Sequence, residues 1–158
     1  MGMKSNGGFF KGNPVAGDAS FMNNDDDFLR YIRKRKDVDP GGKFDLIAHG
    51  TANKIELEHN GKTILVNSRT VAKLLKNMPG YKKGQPIRLL SCNTGMLNHG
   101  FAQDLANKLN VVVWAPSTYL WAYPSGKHII APKDSSGENP DKTKPGKFIK
   151  FIPGGNRK

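Results

Sequence analysis

Phe44-Asp45-Leu46-Ile47-Ala48-His49-Gly50 and Ile87-Arg88-Leu89-Leu90-Ser91-Cys92 decide how this chain reads. Each is a short, mostly apolar run that stops at a residue able to do chemistry. Runs of this length with little alternation belong to strands buried on both faces. A third such run, Val111-Val112-Val113-Trp114-Ala115, follows. Between the first two, Ser68 can cap a helix that turns Val71, Leu74 and Leu75 inward; between the last two, Phe101, Leu105 and Leu109 recur at helical spacing. Apolar strands separated by helices predict an α/β fold with a mainly parallel central sheet and helices on both faces, because parallel strands need crossovers that cover the sheet.

Working outward, two side hairpins are expected. Lys54 to Glu58 and Thr63 to Val66 flank an Asn60-Gly61 turn, and a second pair between Tyr119 and Ala131 turns at Pro124-Ser125-Gly126. Upstream, Asn24 or Asp25 can cap a helix with Asp26 and Asp27 in its first turn and Arg30, Arg33, Lys34, Arg35 and Lys36 after them, ended by Asp39-Pro40-Gly41-Gly42. That order of charges suits the helix macrodipole. The resulting plan is a flexible lead-in over 1–23 with a short strand around Phe9 and Phe10, and a single domain over 24–131. A mobile loop over 132–146 and a C-terminal edge strand and tail over 147–158 complete it.

With 158 residues the chain has room for one ordinary core. Its net charge of +12 predicts attraction to polyanions, with Arg30, Arg33, Lys34, Arg35 and Lys36 as the contact residues. On charge alone a nucleic-acid-targeting domain is the alternative reading. The one cysteine, Cys92, excludes an internal disulfide and a Cys-rich zinc site, and four scattered histidines argue for no metal centre. No apolar run approaches the ~20 residues that span a bilayer, and the opening residues carry no signal-peptide core.

In an open α/β sheet, loops and helix N-termini converge at the carboxyl ends of the strands, which is where His49 and Cys92 fall. A thiol nucleophile needs an imidazole to handle its proton, and backbone N–H donors for the oxyanion that develops. Gly50 leaves room for a carbonyl to approach its N–H. Asp45 is a candidate to orient His49 if the pleat continues to position 49, and His99 is an alternative base. His59 and His128 read as surface residues, and Asp25, Asp26 and Asp27 as helix-start charges, an ion site being the other reading.

The pair Ile47-Ala48-His49-Gly50 and Leu89-Leu90-Ser91-Cys92, 43 positions apart, resembles the caspase-like (clan CD) cysteine peptidases, in which one strand ends in His-Gly and a later one in the nucleophile. The resemblance covers residues 44 to 118. It implies a caspase-like sandwich, Cys92 as nucleophile and His49 as proton donor to the leaving amine. It also implies an oxyanion hole from the N–H groups of Gly50 and Cys92, and a substrate pocket shaped by Ser91, Trp114, Pro116, Ser117, Thr118 and Trp121. Leu90-Ser91-Cys92-Asn93-Thr94-Gly95 departs from the caspase Gln-Ala-Cys-Arg-Gly, so a preference for Asp is not implied. Size and spacing look closer to bacterial toxin peptidases. Their activator, inositol hexakisphosphate, comes with that likeness, although no basic segment here matches a motif for it. Organisation is similar to the C-terminal modules of polymorphic (Rhs-type) toxins. That implies a secreted or delivered effector acting on proteins in a target-cell cytoplasm, with a cognate immunity protein. A self-cleaving processing domain of a larger toxin is the near variant.

Overall fold

The computed structural model describes residues 11–13, 18–23, 25–39 and 42–154. In chain order the elements are β1 (Lys11–Asn13), β2 (Asp18–Ser20), α1 (Asp27–Ile32), β3 (Phe44–Ile47), β4 (Ile55–His59), β5 (Lys62–Val66) and α2 (Ser68–Lys76). They continue with β6 (Ile87–Leu90), α3 (Phe101–Leu109), β7 (Val113–Pro116), β8 (Leu120–Ala122), β9 (His128–Ile130) and β10 (Phe148–Phe151). This is a mixed α/β fold. Its six-stranded sheet runs β1-β2-β3-β6-β7-β10, with β4-β5 and β8-β9 as separate two-stranded hairpins. The four inner strands are mutually parallel, and β1 and β10 join the edges antiparallel.

Strand alternation divides the core. Phe44, Leu46, Ile87, Leu89 and Val113 face α2 and α3, meeting Val71, Leu75, Phe101 and Leu105. Ile47 and Leu90 face the other way, toward Leu29 and Ile32 of α1 and Leu120 and Ile130 of the second hairpin. Each such side chain taken fully out of water contributes about 1.5–3 kcal/mol. The first hairpin turns at Asn60 and Gly61, whose φ angles of 52° and 76° match the two left-handed positions that a twisted hairpin requires. It lays Ile55 and Leu57 against the α2–α3 side of the sheet.

Three boundaries differ from expectation. The lead-in is not loose throughout: β2 pairs with β3, Phe21 is buried, and the Phe21 N–H donates to Ile47 O at 3.0 Å. Among the described residues the buried core therefore opens at Ala19, while the strand expected at Phe9 and Phe10 lies outside the described residues. The loop over 132–146 is held by local bonds, among them Asp134 Oδ1 accepting from Ser136 N–H at 3.0 Å and Gly146 N–H donating to Ile130 O at 2.7 Å. Finally, α1 is capped by Asp26 and ends at Ile32, so Arg33, Lys34, Arg35 and Lys36 lie beyond it.

Just past the end of α1 the chain makes a buried ion pair. Arg35 turns inward, its side chain 1% exposed, and its Nε and Nη2 each lie 2.9 Å from Asp45 Oδ2. Arg88 approaches Asp45 from the neighbouring strand, Nε at 2.9 Å from Oδ1 and Nη2 at 2.7 Å from Oδ2. Of the five basic residues expected to meet a polyanion, Arg35 is thus buried in a structural pair, and Arg30 pairs with Asp27. The network extends outward to Asp37, 2.7 Å from Arg88 Nη1 and 2.9 Å from His128 Nε2. Burial pushes the Asp37 carboxyl up, but Arg88 and His128 outweigh it and hold the pKa at about 2. Removing one member of a buried ion pair strands the others in low dielectric. Asp45→Ala is expected to lower folding stability by about 3–5 kcal/mol in urea unfolding; a loss within the range of an exposed pair, under ~1 kcal/mol, would contradict this account.

Candidate active site

The β3–β6 ladder pairs each residue with the one 43 positions later, from Phe44 with Ile87 to Ile47 with Leu90. The same offset carried two steps past the paired segment sets His49 opposite Cys92. Neighbouring strands lie ~4.8 Å apart and side chains alternate with period two, so both residues follow the face that Ile47 and Leu90 define. Their surroundings agree. Cys92 packs on the cluster built from Leu29, Ile32, Ile47, Leu90, Leu120 and Ile130, and Phe28, which packs on that cluster too, has its ring centroid 5.9 Å from the His49 imidazole.

The ladder opens just before these residues. Alternate donors run Phe44 N–H to Pro86 O at 2.8 Å and finally Ala48 N–H to Leu90 O at 3.3 Å. Continued, the pattern would next employ the N–H groups of Cys92 and Gly50. Among the described residues neither donates to a backbone carbonyl. The chain after His49 leaves for β4 instead, with Glu56 N–H donating to His49 O and Thr51 N–H to Lys54 O, both at 2.8 Å. Gly50 is pressed against the loop that carries Cys92: a Cβ there would stand 2.2 Å from Ser91 Oγ and 2.9 Å from Cys92 O. Only glycine fits at that approach.

Cys92 is held by the strand that covers it. Its Sγ accepts from Leu120 N–H at 3.3 Å and donates to Leu120 O at 3.6 Å. Beside it, Asn93 N–H donates to Thr118 O at 3.0 Å and Gly95 N–H to Pro116 O at 2.9 Å, so the segment from Pro116 to Leu120 is clamped along the turn that follows Cys92. Burial pushes the Cys92 thiol up. The N–H groups of Leu120 and of Cys92 itself, and the charge of Lys133, oppose that shift without cancelling it. The imidazole is 44% exposed, and its Nε2 lies 2.7 Å from Asp26 Oδ2. Among the described residues no hydrogen bond joins Sγ to the ring.

Several expected residues take other places. Asp45 shares the face of His49 but lies four residues earlier, about 13 Å along the strand, and is spent on Arg35 and Arg88. Ser91 is 1% exposed and its Oγ has no partner among the described residues, so it forms the floor beneath Gly50 rather than a substrate wall. Trp114 stands in register with Arg88, four residues before Cys92, between Lys43 and Lys150 at 5.3 and 5.5 Å from its ring. Trp121 donates its indole N–H to Ala131 O at 2.8 Å and leans on Tyr119. Ser117 Oγ accepts from Lys147 N–H at 3.1 Å. Of the expected pocket, Pro116 and Thr118 border the turn after Cys92 through their carbonyls. His99 is exposed, and His128 bonds Asp37.

Reading the sequence missed Asp26 as a partner of His49. In the sequence it read as a helix-start charge, which carries no mark of a second task. Beside His49 lies a cleft of about 270 Å³ that Asp26, Glu56 and Glu58 also line. Among the described residues no group of three or more His, Cys, Asp or Glu side chains is placed to hold a metal ion, and no helix is long and apolar enough to cross a membrane. A family model described as a domain of unknown function (DUF8616) matches residues 17–130, a span that contains β2, both strand ends and the second hairpin. No curated protein and no solved structure matches the chain.

Two measurements check the site. Ser91→Ala removes a buried hydroxyl that lacks a partner and is expected to raise stability by about 1 kcal/mol; a loss of stability in denaturant titration would mean that the hydroxyl is bonded. Because only the thiolate alkylates and burial disfavours it, the iodoacetamide reaction of Cys92 should rise with pH along a curve displaced to the alkaline side of an unstructured cysteine peptide. A midpoint at or below that of the peptide would contradict the burial account.

Proposed function

The chain belongs to the family described as a domain of unknown function (DUF8616), and from its own side chains we propose that it is a cysteine endopeptidase with Cys92 as nucleophile and His49 as proton carrier. The observation that carries this reading is the offset of 43 shared by the β3–β6 ladder and the His49–Cys92 pair. It gives a thiol and an imidazole on matching ends of adjacent parallel strands, with the Gly50 and Cys92 N–H groups released from the ladder beside them. The arrangement is similar to that of the caspase-like peptidases, and a caspase-like sandwich is part of the proposal.

The steps balance on these groups alone. His49 takes the Sγ proton, and the Cys92 thiolate attacks the scissile carbonyl carbon. The oxyanion is met by the Gly50 and Cys92 N–H groups; one such donor is worth about 3–4 kcal/mol to a transition state. The C–N bond breaks and the imidazolium returns its proton to the leaving amine, leaving a thioester on Sγ. Water attacks the thioester and gives its proton to His49; the C–S bond breaks, and the thiol is regained as the acid product departs. Burial favours the protonated thiol, which gives His49 a proton to take.

The organisation supports a delivered bacterial toxin effector whose substrates are proteins of the target cell, held in check by an immunity protein. The test is mass spectrometry of new protein N-termini in bacterial and eukaryotic lysates, with and without inositol hexakisphosphate. Wild-type protein should generate cuts that Cys92→Ala and His49→Ala each reduce at least about a thousandfold, with melting temperatures within a few degrees of wild type. Cuts confined to the chain itself would point to self-processing. Cleavage that persists in both variants, or none that depends on Cys92, overturns the proposal.

A further inference from the structure

Asp26 uses both carboxylate oxygens. Oδ1 caps α1, accepting from Phe28 N–H at 2.8 Å and from Leu29 N–H at 3.4 Å, while Oδ2 meets His49 Nε2 at 2.7 Å. We propose that Asp26 is a positioning residue that completes a Cys92–His49–Asp26 triad. In it the ring carries its proton on Nε2, and Nδ1 is the nitrogen that takes the Cys92 proton and passes it to the leaving amine. The proposal rests on the peptidase reading and adds a residue, a tautomer and a proton route to it.

Hydrogen-bond inventory fixes the tautomer. An ionised carboxylate only accepts, so the ring atom facing Oδ2 must be the N–H, and a neutral imidazole has a single proton. Nδ1 is left with a free lone pair. The Phe28 ring lies beside the imidazole, its centroid 5.9 Å away and its plane tilted 40°. The carboxylate cannot easily turn away either, because its second oxygen is held by the helix cap. The same apolar cluster that receives Leu29 and Ile32 of α1 also receives Cys92, so helix, carboxylate, ring and thiol are located by one piece of packing. Preorganisation of this kind places a catalytic constellation within the narrow tolerance that it needs. Glu56 and Glu58 of β4 face His49 across the cleft as well, but neither is bonded to the ring among the described residues.

Asp26→Asn separates this task from the cap. Asparagine caps a helix as well as aspartate, and its oxygen is required by Phe28 N–H, so the atom turned to Nε2 becomes an NH2 donor. The ring must then carry its proton on Nδ1, the wrong tautomer for accepting one from Sγ. The expected result is a fall in kcat of about 10³–10⁴ with KM changed less than about threefold and an unchanged melting temperature. In protein labelled with nitrogen-15 on histidine, the His49 signals should move from the Nε2–H pattern in wild type to the Nδ1–H pattern in the variant. An active wild type whose Asp26→Asn variant keeps its kcat, or a wild-type ring found as Nδ1–H, overturns the triad alone. A wild type without Cys92-dependent cleavage overturns the peptidase reading and the triad with it, so the two failures are told apart.

Discussion

Asp45, buried between Arg35 and Arg88, is the interaction on which the arrangement of this chain turns. Asp45 and Arg88 are register partners across β3 and β6, and a slip of one residue would send Asp45 to the apolar face that meets α2 and α3. Such a slip also turns every other side chain of the strand over. A carboxylate cannot be carried into that face unpaired, so the ion pair selects one register among those an apolar strand would tolerate. The register that it selects is the one whose continuation sets His49 against Cys92. Structural charge and proposed chemistry thus lie on a single face of one strand pair, separated by the strand's length.

What lies at the far end follows from where the ladder stops. Two parallel strands share alternating N–H donors only while they run together. Beyond Ala48 one chain departs toward the β4 hairpin and the other turns at Asn93, whose φ of 64° is left-handed. The donors given up there are those of Gly50 and Cys92. The β8–β9 hairpin then closes over the sulfur; burial disfavours ionisation of the thiol, and the Leu120 N–H opposes that shift without cancelling it. The site is assembled from the cap of α1, the ends of β3 and β6, and the strand after β7.

Much of the architecture was legible because it rests on local physics. The three apolar runs are strands β3, β6 and β7, the Asn60-Gly61 turn closes a hairpin, and α2 and α3 carry their apolar residues at helical spacing. Other elements were decided at long range. β2 is three residues long and gains its place only by pairing with β3. The basic stretch after Ile32 has helix-forming residues, yet the helix ends at Ile32 and Arg35 turns in to Asp45.

The amino-acid sequence by itself determined the element types, the parallel sheet, and the position of His49-Gly50 and Cys92 at strand ends, since periodicity and turn chemistry act within a few residues. Only the tertiary structure decided which carboxylate meets which partner. Asp26 and Asp45 look alike in sequence, one a helix-start charge and the other an acid on the histidine's own strand. Folding brings Asp26 to His49 from 23 positions away, and Arg88 to Asp45 from 43. A strand separates its own residues by about 3.3 Å each, so the nearer acid in sequence was the farther one in space.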